Sequence, residues 1–69
     1  MTHFTQTLDL ATRRASATGR PMAVVHYGCG EYVVKTAALA EMYYPQSIRL
    51  IVQPSGETSD NPLFDNAAL

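Results

Sequence analysis

A chain of 69 residues with a single cysteine, Cys29, has room for one domain near the lower size limit for a self-sufficient core, and cannot form an internal disulfide. Charged residues reach only 16% against 46% hydrophobic, which excludes disorder by composition and leaves apolar surface for a partner, in the simplest case a second copy, to cover. The net charge of −1 is unevenly spread: residues 1–56 hold every basic side chain, the end holds only Glu57, Asp60 and Asp65, and neither part has the dense basic patch typical of nucleic-acid binding.

The N-terminal segment lacks the basic start and apolar run of a signal peptide. Its longest apolar stretches fall well short of the roughly 20 residues that span a bilayer. A cytoplasmic protein is expected. Phe4, Leu8, Ala11 and Ala15 recur at helical spacing and predict a helix from Phe4 to Thr18. Thr2 offers an N-cap, and Arg13 and Arg14 lie towards the end that the helix dipole makes attractive to cations. Gly19 supplies a left-handed cap and Pro21 blocks continuation.

Met22–Tyr27 and Glu31–Lys35 are β-prone runs joined by Gly28-Cys29-Gly30, which reads as a hairpin. The first run is apolar on nearly both faces, as a central strand would be. In the second, Tyr32 and Val34 alternate with Glu31 and Lys35, which suits an edge with one wet face. Thr36 can cap a short helix from Ala37 to Tyr44, stopped by Pro45; a continued strand is the competing reading, disfavoured by Ala37, Ala38 and Ala40. Ile48–Gln53 alternates as a third strand, with Ile48, Leu50 and Val52 assigned to one face.

The order α-β-β-α-β predicts an α+β domain over residues 1–54. Its sheet is expected to be three-stranded and mixed, in the order 2-1-3, with a right-handed crossover making the second and third strands parallel. Both helices are placed on one face. Parts of Met22, Val24, Val33 and Ile51 would then form an exposed face suited to a homodimer. From Pro54 the composition turns polar, so residues 55–69 read as a flexible acidic tail in which Leu63 and Phe64 are the apolar anchors.

Chemical motifs are sparse. Cys29 with His26 three residues earlier has the residue types of a thiol nucleophile and its base, but no orienting acid accompanies them. His3, His26 and Cys29 lack the paired spacing of a metal site, and Gly28-x-Gly30 is followed by a strand where a phosphate site needs a helix. No catalytic residue, metal or cofactor is therefore expected. Arg13, Arg14 and Arg20 cluster near the end of the first helix, where they could contact nucleic-acid phosphates or simply solvate it. Met42, Tyr43 and Tyr44 offer the aromatic and thioether area that protein interfaces favour.

These residues favour a non-enzymatic interaction module, a regulator or inhibitor that binds a protein partner. Small lone α+β domains are common among accessory proteins of phages and mobile elements, an association by size alone. A nucleic-acid-binding regulator using the three arginines and Lys35, with Tyr27 and Tyr32 as candidate stacking residues, is the alternative, and a thiol enzyme the third reading.

Overall fold

The computed structural model describes residues 4–27 and 30–61. In chain order they form α1 (Phe4–Thr18), β1 (Met22–Tyr27), β2 (Glu31–Thr36), α2 (Ala37–Tyr43), β3 (Ile48–Val52) and β4 (Thr58–Asp60). The chain is α+β, with two helices and one open sheet of order β2-β1-β3-β4. Among these residues no helix is long and apolar enough to cross a membrane.

Two expectations about the sheet need correction. It has four strands where three were expected, and every neighbouring pair is antiparallel, so it is not mixed. β2 and β3 do run the same way, but β1 lies between them and pairs antiparallel with both. The fourth strand comes from the segment read as the start of a polar tail. Pro54 begins a tight turn in which Gly56 takes φ 95° and donates to the Gln53 carbonyl at 2.9 Å. The Gln53 N–H then donates to Glu57 at 2.8 Å, and the chain returns along β3.

The helices also lie on opposite faces, not on one. Residues directly opposed across an antiparallel pair share a face, so Met22, Val24 and His26 of β1 go with Thr36, Val34 and Tyr32 of β2. That face carries α1. Ala11 and Ala15 pack there with Met22, Val24, Leu50 and Val52, and Phe4, Leu8, Tyr32 and Val34 close the margins. The other face carries α2, whose Ala40 packs with Ala23, Val25 and Ile48, flanked by Val33 and Ile51. The two helices do not touch each other. Met22 and Val24 are accordingly buried beneath α1 and belong to no exposed face, while Val33 and Ile51, on the other side, are half-buried.

A bulge in β3 sorts its side chains between the two cores. Val24 pairs with Leu50 but the next residue, Val25, pairs with Ile48, which leaves Arg49 as the extra residue. Ile48 therefore joins the α2 side while Leu50 and Val52 join the α1 side. The single face expected for these three residues is split for this reason.

Local chemistry ends each helix as its sequence requires. Gly19, at φ 69°, donates to the Ala15 carbonyl at 2.9 Å and closes α1 with a left-handed cap. The Thr36 hydroxyl accepts the Leu39 N–H at 3.4 Å to start α2. Tyr44, ahead of Pro45, leaves the helical region at φ −136°, ψ 45°. Beyond β4, the Asn61 side-chain amide donates to the carbonyls of Pro45 at 2.8 Å and Ile48 at 3.0 Å, tying the end of β4 to the loop after α2.

Close approach of α1 depends on its alanines. Ala15→Leu is expected to overpack this contact and cost about 1–3 kcal/mol in urea unfolding, whereas Ala17→Leu, on the exposed side, should stay within about 0.5 kcal/mol of the parent. Asn61→Ala leaves two carbonyls without this donor. It should cost about 1–2 kcal/mol and speed amide exchange along β3 and β4.

Candidate functional site

α2 has seven residues, too few to cover its face of the sheet. Ala37 and Ala40, one turn apart, point inward and are buried. Leu39, Met42 and Tyr43 stand at i, i+3 and i+4 on the outer side, so they form one stripe. Met42 is 72% and Tyr43 64% exposed, unusual values for side chains of this size and apolarity. The Tyr44 ring lies 6.3 Å from that of Tyr43, at 55° to it, and continues the stripe past the helix end.

Below Tyr44 the uncovered part of the sheet forms an open cleft of about 400 Å³. Val25, His26, Tyr27, Val33, Lys35 and Ser47 line it with Tyr44. Its floor is apolar, two tyrosines stand at its sides, and Lys35 gives it one cation. The Tyr27 side chain is 64% exposed. Together the stripe and the cleft make a surface with apolar area and a few polar groups, the composition of an interface core rather than of solvent-facing protein. Among the described residues no group of three or more His, Cys, Asp or Glu side chains could hold a metal ion.

The six residues singled out in the sequence fall into two groups. Met42, Tyr43 and Tyr44 lie together on this surface. Arg13 and Arg14 belong to α1, across the sheet, with Arg20 just after it. Arg13 reaches back to Asp9 at 2.9 Å, both side chains exposed, and the last turn of α1 holds no basic residue. Arg13 and Arg14 thus stand before the last turn, where the dipole's pull is weaker. Tyr27 and Tyr32 occupy opposite faces of the hairpin and do not build a shared stacking platform. Tyr32 instead sits edge-on between Phe4, at 5.1 Å, and His26, at 5.3 Å. His26 thus points to the α1 side, while Cys29, its proposed thiol partner, and His3 lie outside the described residues.

Leu39 escaped the sequence reading, and Tyr27 and Lys35 entered it only within the nucleic-acid alternative, not for this surface. Leu39 had a signal, its helical spacing to Met42 and Tyr43. Tyr27 and Lys35 had none, because their meeting with Tyr44 depends on which face α2 covers.

No protein-family model, curated protein or solved structure matches this chain, so its function has to follow from its own geometry. The exposed stripe contributes little to folding. Met42→Ser and Tyr43→Ser should each leave the stability to urea within about 0.5 kcal/mol of the parent.

Proposed function

We propose that this chain is a non-enzymatic protein-interaction module, a regulator or inhibitor that acts by binding a protein partner through α2 and the adjoining cleft. One observation carries the reading: of the six large exposed hydrophobic side chains, Met42, Tyr43, Tyr44, Leu39 and Tyr27 gather on the α2 side of the sheet, and Leu10 alone lies on α1. Aromatic and methionine side chains supply much contact area for little lost rotamer freedom, and a small number of such residues carries most of the energy of a typical interface. The cleft gives a partner's side chain a concave seat between Tyr27 and Tyr44, and Lys35 favours an acidic or carbonyl group beside it. The small size of the domain fits the accessory type of phages and mobile elements.

The test uses the parent chain and its Met42→Ser/Tyr43→Ser double variant as baits in the native host. A host protein retained by the parent, and whose purified form binds the double variant at least about thirtyfold more weakly, supports the reading; that is the scale of a hot spot worth 2 kcal/mol or more. Equal binding of both baits would sink it, as would the absence of any retained protein.

A further inference from the structure

β2 forms one edge of the sheet, and the direction of its backbone groups can be derived. In an antiparallel ladder, successive residues direct their N–H and C=O groups alternately to one side and the other. The Ala37 N–H donates to the Pro21 carbonyl at 3.0 Å, one step beyond the Met22–Thr36 pair. On β1, the His26 N–H donates away from β2, to Ser47 at 2.7 Å. Both bonds give the same phase. Glu31, Val33 and Lys35 direct their backbone groups to β1, and Tyr32 and Val34 direct theirs outward past the edge.

We propose that this edge pairs antiparallel with the same edge of a second copy, about a two-fold axis at Val33. In that register Tyr32 stands opposite the partner's Val34, and Val34 opposite the partner's Tyr32. Those are the residues whose N–H and C=O groups point outward, so each pair closes two hydrogen bonds. On the α2 side, Val33 meets the partner's Val33 and Glu31 meets the partner's Lys35, with the converse pair across the axis. Both charged pairs fall in the closely spaced class, where side chains approach most nearly. The segment Glu31-Tyr32-Val33-Val34-Lys35 is thus self-complementary in both charge and hydrogen bonding. A shift by two residues breaks both charge pairs. Charges on an edge strand usually guard it against pairing; here opposite signs, placed symmetrically about Val33, are both matched in one register only. The left-handed turn at Gly30 and the helix starting at Ala37 confine the pairing to this strand.

Glu31 and Lys35 are exposed in the single chain, so reversing either charge leaves its own fold intact. Sedimentation over a wide concentration range should give a dimer for the parent, with amide exchange at Tyr32 and Val34 slowing as the dimer forms. Glu31→Lys and Lys35→Glu should each weaken the dimer roughly tenfold, since both pairs become like-charged. An equimolar mixture of the two variants should restore it, because each then supplies what the other lacks, and so should the double swap in one chain. A parent that stays monomeric overturns the proposal, as does a dimer unmoved by the single swaps or not restored by mixing. The partner-binding reading is tested separately, since Met42 and Tyr43 lie on α2 and not on this edge.

Discussion

Everything in this molecule is arranged around a central strand that is buried on both sides. Met22, Ala23, Val24 and Val25 are successive residues of β1, and none is more than 5% exposed. A strand alternates its side chains between faces, so four buried residues in a row require a cover above and below. Placing β1 between β2 and β3 protects its edges but neither face. The chain must therefore supply two covers, and with so few residues it supplies them unequally. α1, with 15 residues, spans its face, and the seven residues of α2 cannot. The cleft and the exposed tyrosines are what the shorter cover leaves open.

Arg49 joins the two halves of this arrangement. As the extra residue of the bulge it changes the side on which β3 presents its side chains, so one strand serves both cores. Its guanidinium lies 5.6 Å from the centre of the Phe4 ring and 3.4 Å from the Asp60 carboxylate. The exposed ion pair adds little, and the cation–π contact is worth about 0.5–1 kcal/mol at such a site. Their value is positional, because they hold the start of α1 and the end of β4 against the same strand. β4 has no buried side chain of its own. It is kept by backbone pairing, by Arg49, and by the Asn61 amide on the Pro45 and Ile48 carbonyls.

These facts explain which parts of the fold can be read from the residues. The bounds of α1, the central position of β1 and the Thr36 cap rest on local signals: a helical stripe, a run apolar on both faces, a hydroxyl before good helix formers. The run in β1 carried a second message, that both faces need covering, which the placement of both helices on one face contradicts. The bulge is hidden because Ile48-Arg49-Leu50-Ile51-Val52 alternates well enough without one. β4 is hidden because Thr58-Ser59-Asp60 is polar throughout and exposed, and such a strand leaves no apolar period. Of the site, Met42, Tyr43 and Tyr44 are visible as residue types, while the cleft depends on tertiary placement.

The proposed interaction surface and the β2 edge are joined through Val33 and Lys35. Both residues direct their side chains to the α2 face, where they line the cleft with Tyr27 and Tyr44. Pairing through β2 would set two clefts side by side across the Val33 contact and neutralise each Lys35 with a Glu31 of the partner subunit. The cation at the cleft would then be engaged, and the recognition left to the chain would be mainly apolar and aromatic. A monomer would present the same cleft with Lys35 available to an acidic group. Self-association on this edge would thus do more than stabilise a small domain: it would select which chemistry the adjoining surface offers.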